Sequence, residues 1–370
     1  MLIFDVLFYT FIAVVAVQII YYIPIFGKFS FYNEQSQTPK NISVSVIICA
    51  KNEANNLKKF LPSVIEQDYH SFEIVLINDS SSDKTLEVME AFKSGHDNIK
   101  IVDVKNIEAF WGNKKYALTL GIKAATHNFL LFTDADCRPV SKHWISEMSS
   151  HFTNSKSIVL SYGAYQKIKG SFLNMLVRFE TLLTATQYFS YARIGQPYMA
   201  VGRNLAYRKE LFFEARGFMD HIDIKSGDDD LFVNQIANTR NTAICFSKKS
   251  FTQSIPKTTL KAWIAQKRRH ISTAKHYKFK HRVLLSIFYV SQLLFWVLAI
   301  LLIWTLNYWI IVLALILIRF LAQFLSLGFA SKKLNEPDLI PFLPFLELFL
   351  ISSQFFIFIK NLISKPRYWK

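Results

Sequence analysis

Four apolar runs constrain what this chain can fold into more than any other feature. Leu2 to Phe26 is broken only by Asp5 and Gln18, and it exceeds the ~20 residues that a spanning helix needs. Val283 to Leu306 carries no charge, and Tyr308 to Ala330 carries one, Arg319 near its middle. Asn307 alone separates these two runs, so a tight helical hairpin is expected. Leu339 to Ile359 contains Pro341, Pro344 and Glu347, and it could either span or dip in and return. A single soluble domain is therefore excluded. An apolar content of 51% excludes disorder. Cys49, Cys137 and Cys245 lie too far apart to form a disulfide scaffold. The first run is too long for a signal-peptide core, has no basic start and lacks a small-residue cleavage site, so it reads as a retained helix.

Basic residues set the orientation, because Lys and Arg in short loops stay on the cytoplasmic side. Lys28 and Lys40 follow the first run, Lys332 and Lys333 follow the third, and residues 250–282 before the second are rich in Lys and Arg with no acid. All three places point to one face. The N-terminus is then expected outside and the intervening domain in the cytoplasm, where scattered cysteines stay reduced. Lys365, Arg367 and Lys370 draw the C-terminus to the cytoplasmic side as well. That conflicts with four simple crossings and favours a last segment that re-enters. The expected organisation is an N-terminal transmembrane helix over 1–27, a cytoplasmic domain over 42–250, a basic interfacial region over 251–282 and C-terminal membrane helices over 283–363. The basic region suits anionic membrane lipid, with Trp263 and Tyr277 at the headgroup level. No nucleic-acid partner is expected. Arg319 and Glu347 are candidates to pair, since charges within a membrane are costly.

Residues 42–250 alternate between strand and helix patterns. Val44 to Cys49, Glu73 to Ile77, Ile99 to Val104 and Phe129 to Thr133 are short apolar, β-branched runs that predict buried strands. Asn55 to Gln67, Thr85 to Phe92 and Lys115 to Ala125 have helical spacing. Strands separated by helices imply a parallel, doubly wound sheet with helices on both faces, whose ligands sit beyond the carboxyl ends of the strands. The acidic turns at Asp79, Asp83, Asp134 and Asp136 all fall at that edge.

Asp134-Ala-Asp136 follows its strand directly. Such a pair can aim two hard oxygen ligands at one divalent cation, and Mg2+ and Mn2+ take such ligands together with phosphate oxygens. The spacing also suits an Asx-type turn, but the apolar strand just before it favours the metal. Asp79 and Asp83 lie in a Ser-rich turn that could form a nucleoside-binding lip, and Asn52 and Glu53 stand on the same edge. Gly112-Asn113-Lys114 precedes a helix, where Lys114 could meet an anion or simply sit on the surface. Gly227-Asp228-Asp229-Asp230 opens an amphipathic helix. Capping explains one aspartate there; crowding of three can lift one carboxyl towards the range of a general base. Gln266 and Arg269, three apart, share one helix face, and arginine suits a diphosphate.

Together these residues resemble the family 2 glycosyltransferases, membrane-bound inverting enzymes that include hyaluronan, chitin and cellulose synthases. Ala50-Lys-Asn-Glu53, Leu76 to Asp83, Lys114-Lys-Tyr-Ala-Leu118, Asp134-Ala-Asp136, Gly202-Arg-Asn204 with Gly217-Phe218, and Gly227-Asp-Asp229 occur in the family's order. The membrane-proximal Gln-x-x-Arg-Trp element departs from the pattern, because its last position is His270. The family's tryptophan is associated with stacking the acceptor sugar at a polymer channel.

The resemblance implies a GT-A-like fold and a metal-dependent hexosyl- or N-acetylhexosaminyl-transferase. In its terms Asp229, or Asp228 after a one-residue shift, is the catalytic base. Asn52, Glu53, Asp79, Lys114, Asp134, Gln266 and Arg269 bind a nucleotide-sugar donor, most simply UDP-linked. Asp136 with Asp134 holds Mg2+ or Mn2+. The acceptor is a glycan or lipid-linked molecule at the cytoplasmic face of a cell membrane. A processive polysaccharide synthase subunit and a membrane-bound nucleotidyl- or phosphotransferase are the alternatives.

Overall fold

The computed structural model describes residues 2–33, 37–105, 114–224, 226–306 and 308–364. Gly112, Asn113, Asn307, Lys365, Arg367 and Lys370 lie outside the described residues.

The first helix, α1 (Leu2–Ile20), continues through a π-helical turn, Tyr21–Ile25, into α2 (Gly27–Ser30). Pro24 sits in that turn; it lacks an N–H and crowds the preceding turn, which is the local cause of the widening. Then follow β1 (Val44–Ala50), α3 (Ala54–Ile65), β2 (Phe72–Asp79), α4 (Thr85–Ser94) and β3 (Ile99–Val104). Next come α5 (Lys114–Ala124), β4 (Phe129–Asp134), β5 (Cys137–Pro139), α6 (Trp144–Ser150), β6 (Ile158–Leu160) and β7 (Gly163–Tyr165). A long helix, α7 (Phe172–Arg193), precedes β8 (Leu205–Arg208), α8 (Lys209–Glu214), α9 (Asp230–Ile236), β9 (Thr242–Ile244) and β10 (Thr252–Ser254). The chain closes with α10 (Leu260–Ala274), α11 (Phe279–Trp304), α12 (Trp309–Lys333) and α13 (Leu343–Ile363).

These elements form two compact units. The α/β unit comprises Glu34–Lys167 and Pro197–Pro256. Its seven-stranded sheet has the order β3-β2-β1-β4-β8-β6-β9. The first four strands are parallel, β8 runs antiparallel to both β4 and β6, and β9 runs parallel to β6. The sheet is therefore mixed, parallel where the sequence pattern is strongest. Val46, Ile48, Ile74, Leu76 and Leu131 are buried against Leu57, Leu61, Val88, Met89, Trp144 and Met148 on one face. Helix α5 packs on the other. Fully burying each such side chain contributes ~1.5–3 kcal/mol, which is why β1 and β2 carry apolar residues on both faces. A second, three-stranded sheet has the order β5-β10-β7. In register, Ala50 pairs with Asn78 and Cys49 with Asp134, so the chain leaves β1, β2 and β4 at a common edge.

The helical unit comprises Met1–Asn33, Ile168–Gln196 and Lys257–Arg367. Helix α7, inside the stretch 42–250, belongs to this unit. Its Ser190 hydroxyl donates to the Phe26 carbonyl, Phe189 packs on Phe29, and Arg178 bonds Asp338 at 2.8 Å and also Glu336. Helix α1 runs antiparallel to α11, with Tyr21 Oη donating to the Leu284 carbonyl at 2.6 Å, and parallel to α12, with Ser30 and Ser326 hydroxyls 3.2 Å apart. Among the described residues, four helices are long and apolar enough to cross a membrane: Ile3–Ser30, Phe279–Trp304, Trp309–Lys333 and Pro337–Ile363. Arg319 and Glu347 do pair. Arg319 Nη1 lies 2.8 Å from Glu347 Oε2, both side chains are buried, and Gln18, Tyr22, Gln292 and Gln323 add further hydrogen bonds to the pair.

Candidate active site

The turn after β1 and the turn after β2 are fastened to each other. Asn52 takes a left-handed backbone, φ 57°, which asparagine tolerates better than most residues. Its N–H donates to Ser81 Oγ at 3.0 Å, and its Oδ1 accepts the Ser82 N–H at 2.8 Å. The Glu53 N–H donates to Thr85 Oγ1 at 2.8 Å, and Asp83 accepts the N–H groups of Ala54 and Thr85. Asn52 and Asp83 are thus latch residues within the protein. Asp79, the last residue of β2, is buried beside Lys51, 3.9 Å away. Burial pushes its carboxyl above the ordinary range, against the opposing pull of Lys51 and Lys114.

Asp134 ends β4 and Asp136 follows one residue later. Ligand atoms of Asp134, Asp136 and Cys137 lie within 4.8 Å of one another. The Cys137 thiol, raised well above its usual range by burial, donates to Asp136 Oδ1 at 3.4 Å. Two hard carboxylates on a partly exposed turn beside a protonated thiol fit Mg2+ or Mn2+ better than a thiophilic ion.

Lys114, the first residue of α5, stands between this turn and the loop before α9. Its Nζ is 3.0 Å from Asp134 Oδ1 and 3.0 Å from Asp228 Oδ2. Burial alone would raise Asp228, but the charge and hydrogen bond of Lys114 hold it below the ordinary carboxylate range. Asp229 differs. It caps α9, with Oδ1 accepting the Asp230 N–H at 2.7 Å and Oδ2 accepting the Gly202 N–H at 2.6 Å. Burial, then the charges of Asp228 and Asp230, push its carboxyl up to about 7. Two glycines permit this approach. A Cβ at Gly202 would lie 3.1 Å from Asp229 Oδ2, and Gly227, at φ 94°, adopts a conformation that L side chains rarely take.

Lys114, Asp134, Asp228 and Asp229 line one pocket with Cys49, Thr133 and Tyr207. Gln266 and Arg269 lie on α10 in the helical unit, where burial lowers the Arg269 guanidinium from its ordinary value. Lys115 is read from the sequence only as a helix start and a member of the Lys-Lys-Tyr-Ala-Leu stretch, with no role of its own, yet it is buried, and its Nζ donates to the carbonyls of His221 at 2.6 Å and Ile224 at 2.8 Å. It anchors the segment that leads into Gly227-Asp228-Asp229. A second lysine beside Lys114 was its only signal in the sequence.

Residues 45–214 match the profile described as Glycosyl transferase family 2. The chain carries a family 2 glycosyltransferase domain. Over 93 residues it is 39% identical to a poly-beta-1,6-N-acetyl-D-glucosamine synthase of Staphylococcus epidermidis, a match covering 25% of this chain and 21% of that protein. Over 104 residues it is 34% identical to glycosyltransferase AglE of Haloferax volcanii, covering 28% of this chain and 33% of that one. The chain thus spans a fifth to a third of the length of these curated relatives. A mannosyltransferase of Pyrobaculum calidifontis, solved in complex with GDP-Man and Mn2+, superposes with a TM-score of 0.62 over 97% of this chain and 99% of that one, at 18% identity. That likeness shows that the glycosyltransferase domain has the GT-A-like fold. Asp134, Asp136, Lys114 and Asp79 all fall inside the matched family segment; Asp228 and Asp229 follow it.

Proposed function

We propose that this protein is an inverting glycosyltransferase that moves a hexosyl or N-acetylhexosaminyl group from a nucleotide-sugar to a hydroxyl of a membrane-proximal or lipid-linked acceptor. The observation that carries the proposal is the split between neighbouring carboxylates: Asp228 is held ionised by Lys114, while Asp229 is lifted to about 7. A group poised there suits general-base work near neutrality. This contrast favours Asp229 over Asp228 as the base.

Asp79 and the Asn52–Asp83 latch position the nucleoside of the donor, most simply UDP-linked. Asp134 and Asp136 would hold Mg2+ or Mn2+, which, when bound, neutralises the diphosphate of the leaving group. Asp229 takes the proton of the acceptor hydroxyl. The acceptor oxygen then forms a bond to the anomeric carbon from the face opposite the nucleotide, and the bond from that carbon to the diphosphate oxygen breaks with its electron pair. The products are an inverted glycoside and a nucleoside diphosphate. The chain is read as an integral membrane protein with this domain on the cytoplasmic side, following the placement of Lys28, Lys332 and Lys333.

Processive synthesis is a second reading, favoured by the similarity to a poly-beta-1,6-N-acetyl-D-glucosamine synthase. His270, standing where the synthases carry tryptophan, argues for addition of few sugars. The test is a panel of UDP- and GDP-linked sugars on purified protein, with Mn2+ and with chelator, followed by product-length analysis. Release of nucleoside diphosphate from one donor, lost on chelation, is expected. Attack at phosphorus, or no turnover of any sugar nucleotide, contradicts the proposal.

A further inference from the structure

The last apolar helix is long enough to cross a bilayer, but its tethers place both of its ends on one side. The direction of α1 fixes the two faces of the helical unit. Asp5 bonds Tyr308 at one end, and Ser30 meets Ser326 near the other. Because α11 runs against α1 and α12 runs with it, Phe279 and Lys333 lie on the face of Ser30, and the turn at Thr305 lies on the opposite face. Between Lys333 and the start of α13 at Leu343, Asp338 is held by Arg178 of α7. Its far end is held by Arg268 of α10. Arg268 Nε donates to Asn361 Oδ1 at 2.7 Å, and Nη2 donates to the Ser364 carbonyl at 2.5 Å and to its hydroxyl at 2.9 Å.

Arg268 cannot reach the opposite face. Six residues of helix rise by about 9 Å to Ala274. A turn closed by the Tyr277 N–H to the Ala274 carbonyl spans under about 7 Å, and two further residues add about 7 Å to Phe279. The backbone sum of about 23 Å falls short of the ~30 Å hydrocarbon core, and the Arg268 side chain could close the gap only with every piece stretched end to end along the membrane normal. Standing α10 on end would also draw Lys267, Arg269 and His270 into hydrocarbon. The Lys267–Glu180 ion pair ties α10 to α7, beside Arg178. The last apolar segment is the short 3-10 helix Pro337–Phe342 followed by α13, one uninterrupted helix with no return turn inside it.

We infer that α13 lies in the plane of the membrane, embedded in the acyl boundary of the single leaflet on the side of Ser30 and Lys333. Its protein-facing side is Leu343, Leu346, Glu347, Leu350 and Ile351. Its exposed side, including Phe345, Phe349, Phe355, Phe356 and Ile363, is apolar and takes lipid chains as its partner. Ser364, at the end of α13, then stays on the side of Lys333 and α10.

The test places single cysteines by Lys275→Cys, Thr305→Cys and Ser364→Cys and labels them with a membrane-impermeant maleimide in intact cells and in inverted vesicles. Ser364→Cys is expected to label with Lys275→Cys and opposite to Thr305→Cys; labelling together with Thr305→Cys overturns the inference. Fusion of the unaltered C-terminus to a fluorescent protein or to alkaline phosphatase reads the sidedness of that end without cysteine substitution. Nitroxide depth measurements at Phe345, Phe355 and Ile363 should return three similar, shallow depths, and a mid-bilayer value at Phe355 overturns it. These readouts do not depend on transferase activity.

Discussion

The Asp229 carboxylate accepts the backbone N–H of Gly202 at 2.6 Å, so the end of the loop that opens α9 is fastened to the strand-edge segment before β8. A Cβ at position 202 would press on that oxygen at 3.1 Å, so the Asp229 side chain would have to give way by a few tenths of an ångström. Gly202→Ala should therefore displace Asp229 and lower kcat more than it raises donor KM, a split that steady-state kinetics resolves.

The pH dependence follows from the same carboxylate. On the proposed mechanism Asp229 works ionised, so kcat/KM should rise with pH through about 7. The effect on stability has the opposite sign. Because the folded-state value is raised from 3.8 to about 7, the fold binds this proton more tightly than the unfolded chain does. The resulting stabilisation is fully present below 3.8 and is lost as pH rises through about 7. Comparison of Tm for wild type and Asp229→Asn across that range should show the wild type losing ground as pH rises.

Lys114 lowers both Asp228 and Asp229. Lys114→Met should move the acid limb of the pH–rate profile above about 7. An unmoved limb would assign that limb to another group.

How much of this was legible in the sequence depends on the range of the interactions. Val44 to Ala50 and Phe129 to Asp134 were readable because strands buried on both faces need continuous apolar runs, and the Asp-x-Asp turn follows from where such a strand ends. The antiparallel β8 was not readable, because Leu205–Arg208 is four residues long and its direction is fixed by partners far away in sequence. Asn52 read as a ligand contact, yet its oxygen is used by Ser82, a pairing across two loops that no local pattern reports. Helix α7 fell within the 42–250 domain by its place in the sequence alone. What groups it with the apolar helices is a set of distant partners, Phe26, Phe29 and Asp338.

Asp79 is assigned to the donor nucleoside alone. Asp79→Ala should raise donor KM by about 10- to 100-fold with kcat little changed, on the scale of a hydrogen bond to a charged group. A fall in kcat at constant KM would place Asp79 in the chemistry instead.

Arg319 and Glu347 are both buried among apolar helices. Arg319→Leu leaves an uncompensated carboxylate and should cost ~3–5 kcal/mol of stability, read as a drop in Tm in detergent. The double variant Arg319→Leu/Glu347→Leu should recover most of that loss, because the remaining charge is then gone.

The most direct measurement is sugar transfer by Asp229→Asn set beside its affinity for the nucleotide-sugar. The amide keeps the size of the side chain and one of the two hydrogen bonds it accepts, from Gly202 or from Asp230, while removing the proton acceptor. The account predicts donor binding within a few-fold of wild type and transfer lower by at least ~100-fold. Transfer at the wild-type rate, with donor binding intact, would contradict it.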